Sequence, residues 1–118
     1  MTEAVKHLEA AKELISDPSK WIRFNFAQDS EGRIVEATDR SACKWCLLGA
    51  VNKTEESIYT YGSVYGFLEA AAKDFGYSWT RVDLKGIGNP PLLNDETDHP
   101  TVMKMFSLAI RYAKGEVS

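Results

Sequence analysis

Cysteine is nearly absent from this chain, with two in 118 residues, at Cys43 and Cys46. A pair that close together is no disulfide framework, so hydrophobic packing has to supply the stability. Histidine is as scarce, represented by His7 and His99 alone. Four prolines and eight glycines are too few for a linker or low-complexity tract. No apolar run approaches the roughly 20 residues of a membrane helix, and the charged start MTEAVKHLEAAKEL holds no signal-peptide core. No membrane contact is therefore expected, and the expected location is the cytoplasm. An excess of positive charge is missing too: 14 Lys and Arg stand against 17 Asp and Glu, a net −3 with pI near 5.4. A chain without a basic field or basic run is not expected to contact nucleic acid directly.

What is present is ordinary for a folded protein, 44% hydrophobic and 26% charged residues. The length suits a single compact domain over 1–118. Thr2 is placed to cap a first helix whose Val5, Leu8, Ala11 and Ile15 share a face, and Asp17-Pro18 stops it. Ile22, Phe24 and Phe26 alternate with Arg23 and Asn25, the period of a half-buried strand. The turn signal Asp29-Ser30-Glu31-Gly32 and the β-branched Ile34 and Val35 then complete an expected antiparallel hairpin at about 21–37. Ser41 reads as the cap of a nearly all-apolar helix at about 42–52, which should be central and buried. Gly49 within it is tolerable where another backbone passes closely, which marks Gly49 and Ala50 as packing contacts.

Ser63 is placed to cap a third helix, with Gly76 where its C-terminal cap belongs. The stretch 77–98 reads as an ordered loop with at most one short strand around Trp79-Thr80-Arg81-Val82, a length that is often functional. Asp98 caps a last helix with Pro100 in its first turn and Val102, Phe106, Ala109 and Ile110 on its buried face. The expected fold class is α+β: four helices around the 42–52 helix, plus the hairpin. A helical bundle with an irregular insertion is the alternative.

Cys43-Lys44-Trp45-Cys46 has the spacing of a redox pair, and Ser41 would put Cys43 in a helix's first turn, but no βαβ pattern precedes it. Zinc would require Cys43, Cys46, His7 and His99 together, without the usual local histidine spacing, so no metal or other cofactor is expected. Nucleophilic catalysis by Cys46 or Cys43 with His99 and Asp95 or Asp98 has suitable residue types, yet such residues coincide by chance in most chains of this size. Gly86-Ile87-Gly88 lacks the third glycine of a dinucleotide fingerprint. Asn94-Asp95 suits tying down local backbone amides, and Trp21, Trp45 and Trp79 read as core anchors. Should Tyr59, Tyr61, Tyr77 and Trp79 cluster on the surface, they would mark a protein-binding patch.

The first helix ending before Asp17-Pro18, then Trp21, Ala42 to Ala50 and Asn94-Asp95 ahead of a terminal amphipathic helix resemble an uncharacterised family of small bacterial and bacteriophage proteins. The family's Trp-Cys-x-x-Gly-Ala motif maps onto Trp45, Cys46, Gly49 and Ala50, and its Asn-Asp element onto Asn94 and Asp95. The resemblance implies no established activity, and it leaves Cys43 outside the shared motif. Whether these positions form a site or a structural clasp stays open at this level. Two readings follow. The first is a non-enzymatic, phage-borne accessory protein in the cytoplasm of a bacterium or infected host cell, binding a host protein such as a basic defence factor. The second is a small hydrolase or transferase using Cys46 with Asn94, Asp95 or His99.

Overall fold

Local capping chemistry places the helix ends. The computed structural model describes residues 2–55, 58–80 and 83–117, the side chains of 58–62 excepted. In α1 (Glu3–Leu14), Thr2 Oγ1 accepts from the Val5 amide at 3.2 Å, and Val5, His7, Leu8 and Ala11 are buried. Asp17 is extended and opens a 3-10 turn at Pro18–Lys20, so the chain leaves α1 where proline requires it. The last helix, α5 (His99–Ala113), starts on Asp98, whose carboxylate accepts from the Thr101 amide and hydroxyl at 3.0 and 2.6 Å.

Between them stand α2 (Leu47–Lys53), α3 (Ile58–Asp74) and α4 (Pro90–Glu96). The helix α3 closes on Gly76 at φ 90°, with Gly76 N–H on Lys73 O and Tyr77 N–H on Ala72 O. It is already helical at Ile58, before the expected cap at Ser63. A helix propagates more cheaply than it nucleates, so the packed turns from Val64 onward carry the weak formers ahead of them. The helices α1, α3 and α5 pack on one another, and α1 also meets α2. Leu8, Ile15, Leu68, Leu93, Met105 and Phe106 are fully buried in the resulting cluster. By contrast, α2 meets α1, α4 and the sheet, and so joins sheet to helices.

The architecture is the expected α+β class, with five helices and a three-stranded antiparallel sheet of order β2-β1-β3 among the described residues. The strands are β1 (Ala27–Gln28), β2 (Ile34–Val35) and β3 (Lys44–Trp45). Asp29 builds the β1–β2 turn: its Oδ1 accepts from the Glu31 and Arg33 amides at 2.9 Å each, and Gly32 sits at φ 81°.

Several boundaries differ from the sequence reading. The hairpin does not extend back to residue 21, because Phe24 takes φ 73° and breaks the extended chain. Alternation assigns faces only while the backbone stays extended, and one left-handed residue cancels it. Phe24 and Phe26 are accordingly 75% and 52% exposed, not half-buried strand positions.

The helix read at 42–52 starts at Leu47 instead. Ser41 is held by Asp39 Oδ1, and the chain from Cys43 to Trp45 is drawn into the sheet, with Cys43 N–H on Gln28 O at 2.9 Å. Cys46 is the true cap, its Sγ accepting from Gly49 N–H at 3.3 Å. Cysteine is outside the usual capping set, so nothing local announces this start. Within 77–98, Ser78 bridges Gly88, and Pro90-Pro91 open α4 instead of continuing a loop. Proline lacks only an N–H that the first helical turn does not use. Residues 81–82 of the expected strand lie outside the described residues.

Candidate functional site

Asn94, on α4 and 1% exposed, is the hub of a polar clasp. Its Oδ1 accepts from Trp21 Nε1 at 2.7 Å and from the Leu47 amide at 3.2 Å. Its Nδ2 donates to Ile22 O at 3.2 Å and to Asp95 Oδ1 at 3.0 Å. Two donors and two acceptor positions are all an asparagine amide offers, so Asn94 is saturated. Asp95 Oδ1 also accepts from the Phe24 amide at 2.8 Å, across 71 positions of sequence. The pair thus ties the strip 21–24 to the start of α2.

Flanking groups reinforce the clasp. The Arg23 guanidinium lies over the Trp21 ring, 4.9 Å from its centroid, and its Nε donates to Thr97 O at 3.0 Å. The His99 ring meets Trp21 edge-on, with the ring centroids 5.8 Å apart. The strip then runs over α2 at Gly49, where Cys46 N–H donates to Phe26 O at 3.2 Å. Trp45 is anchored by its indole N–H on Ala37 O at 2.9 Å.

Phe24, Phe26, Cys46, Leu48, Pro91 and Asp95 surround a cleft of about 100 Å³. Ligand pockets typically begin near ~300 Å³. Burial pushes the Cys46 thiol up, outweighing the opposing pull of the Gly49 and Leu48 amides. Of the residues considered for catalysis, Cys46, Asn94 and Asp95 share this cleft. His99 does not line it, and its Nε2 is engaged with Ile15 O at 2.7 Å. His7 Nε2 is likewise engaged with Val51 O at 2.8 Å, and among the described residues no group of three or more His, Cys, Asp or Glu is gathered.

The two thiols are expected to label at different rates with a thiol-reactive disulfide, because Cys43 is partly exposed and Cys46 is buried. Cys43 should react readily, and Cys46 slowly unless denaturant is added. A folded thiol that keeps its proton longer than an unfolded one, with its ordinary pKa of about 8.5, weakens folding as pH rises past that value. The urea midpoint should therefore fall above about pH 8.5, and Cys46→Ser should flatten that part of the profile. Rapid labelling of both thiols at neutral pH would show that Cys46 is accessible and activated.

The tyrosine and tryptophan patch divides. Tyr77 packs partly against the core, and Trp79 N–H donates to Ile87 O at 2.8 Å beside the Ser78–Gly88 bridge. The side chains of Tyr59 and Tyr61 lie outside the described ones. An exposed apolar surface that the sequence did not reveal is formed by Phe24, Phe26 and Ile34, the last 69% exposed. They share the wall of an open groove of about 920 Å³ between 24–26 and 34–39, with Asn52 and Glu55 at its α2 side. Nothing local announces them, since the turn of Phe24 is held by Asp95 from the far end of the chain.

Fold and clasp together define a small α+β protein in which a buried asparagine holds an aromatic strip over a short helix. The chain belongs to DUF6197, a family of unknown function, which it matches over residues 1–112. No curated protein and no solved structure matches it.

Proposed function

We propose that this chain is an accessory protein that works by binding another protein through the shelf formed by Phe24, Phe26 and Ile34. In this reading it acts in the cytoplasm of a bacterium or a phage-infected cell, on a host protein such as a defence factor. The observation that carries it is Phe24: φ 73° with the residue 75% exposed. A left-handed conformation costs a non-glycine residue roughly 1–2 kcal/mol, and an exposed ring returns little of that through burial. Strain held by surrounding structure, here by the Asp95 carboxylate on the Phe24 amide, is a mark of functional positions. The shelf is also apolar, as the centre of an interface is. A hydrolase or transferase built on Cys46 has weaker support, because its thiol is pushed toward the protonated state, Asn94 has no free bonding position and His99 lies outside the cleft.

Phe24→Gly separates binding from folding. Glycine accepts the positive φ freely, so the variant should be as stable as the parent or more stable by up to about 1 kcal/mol. Affinity capture with tagged parent protein is expected to recover a specific partner that Phe24→Gly and Phe26→Ser both lose. Identical capture by all three proteins, or no specific partner with the parent, would overturn the proposal.

A further inference from the structure

We infer that the partner surface taken by this groove is an extended, lysine- or arginine-bearing segment with a large apolar side chain. This rests on the binding role proposed for the shelf, and it names the chemistry of what binds there. Phe24, Phe26 and Ile34 are the large exposed apolar residues of the lining, beside Val35 and Ala37, and Glu36, Asp39 and Glu55 supply three carboxylates. Among the described residues, no lysine or arginine lines the groove. Arg33, beside Ile34 in the chain, is drawn off by Asp29 at 2.8 Å and Glu31 at 3.5 Å. Arg40 and Lys53, next in sequence to Asp39 and Asn52, are not among the lining residues. The Ser41 hydroxyl and amide keep the Asp39 carboxyl below its ordinary range, so it carries charge at neutral pH.

The backbone favours an extended occupant. In the order β2-β1-β3, β2 is an edge strand, with no further strand beside it among the described residues. Asp29 N–H donates to Arg33 O at 3.0 Å, and the register pairs Gln28 with Ile34 and Ala27 with Val35. Bonded and non-bonded pairs alternate in an antiparallel ladder, so the Ile34 N–H and C=O face away from β1. A segment laid along that edge gains main-chain hydrogen bonds, seats its apolar side chain against Phe24, Phe26 and Ile34, and sets its cations opposite Glu36, Asp39 and Glu55. Rim charges of this kind set selectivity and association rate, while the apolar contact supplies most of the affinity.

Display of short random peptides against the parent protein tests this directly. Enriched sequences are expected to combine Lys or Arg with a large apolar residue, and a labelled synthetic copy should bind more weakly as salt rises. The double variant Glu36→Lys/Glu55→Lys should lose roughly tenfold or more in affinity for it, with Glu36→Gln/Glu55→Gln losing less. Circular dichroism and thermal melting would confirm that both variants remain folded. Enrichment of neutral or acidic peptides that still depend on Phe24 would overturn the basic-partner inference and leave the shelf standing. Basic peptides bound equally by Phe24→Gly would overturn both. Failure to enrich any sequence would overturn the inference alone, since capture of a folded partner decides the shelf.

Discussion

Gly49→Ala is expected to destabilise the protein by about 3 kcal/mol or more, although glycine to alanine inside a helix ordinarily gains up to about 1 kcal/mol. A methyl at Gly49 would stand 1.9 Å from Phe26 O and 2.9 Å from Phe26 C. Both are backbone atoms, so no side chain is free to swing aside. The carbonyl is also held, because Phe26 O accepts from the amide of Cys46, the cap of α2. Making room would pull the strip 24–26 off α2 and break that bond.

Urea denaturation measures the effect, and other glycines calibrate it. A methyl at Gly66 in α3 would meet nothing within 4 Å outside its own helix among the described residues, so Gly66→Ala should be neutral or stabilising. A methyl at Gly88 would lie 1.7 Å from Glu69 O, so Gly88→Ala should resemble Gly49→Ala. A Gly49→Ala protein as stable as its parent would mean that the strip does not cross α2 where the structure puts it.

Asn94→Ala should be comparably severe, with a loss of about 3–5 kcal/mol. It would leave the Trp21 indole N–H, the Leu47 amide and the Ile22 carbonyl without their partner at once. Each buried polar group left unsatisfied costs about 1–3 kcal/mol, reduced where water enters. Asn94→Asp keeps the shape but replaces a donor by an acceptor facing Ile22 O and the Asp95 carboxylate.

Burial and the Asp95 charge would raise the new carboxyl's pKa above its unfolded value of about 3.9. Its penalty is then absent below that value and grows as pH rises toward the folded pKa. Urea midpoints of Asn94→Asp and the parent should therefore converge on acidification from neutral pH. A constant gap would show that the Nδ2 hydrogen bonds contribute little.

Much of the scaffold was legible because its causes are local. Thr2 and Asp98 cap helices with their own oxygens, Gly76 takes the positive φ that closes α3, and Asp29 with Gly32 makes the first turn. The packing role of Gly49 was legible too, since a glycine in an apolar helix implies a close neighbour. The candidate surface was not. Phe24 and Phe26 carry the alternation of a buried strand, and only an acceptor 71 positions away from Phe24 turns that stretch outward. The start of α2 was hidden for a related reason: residues 43–46 have a helical apolar pattern, but hydrogen bonds to Gln28 and Phe26 draw them into extended geometry.

By itself, then, the sequence favoured the α+β class and determined the caps at Thr2, Gly76 and Asp98, the first turn and the need for a close contact at Gly49. Those depend on side chains acting within a few residues of their own backbone. The tertiary structure alone decided where α2 begins, that Pro90-Pro91 start a helix, that Asn94 is a saturated clasp and that an aromatic shelf faces outward above an acidic groove. Each of these depends on groups distant in sequence competing for the same amides and carbonyls, and which partner wins is settled only when the chain has folded.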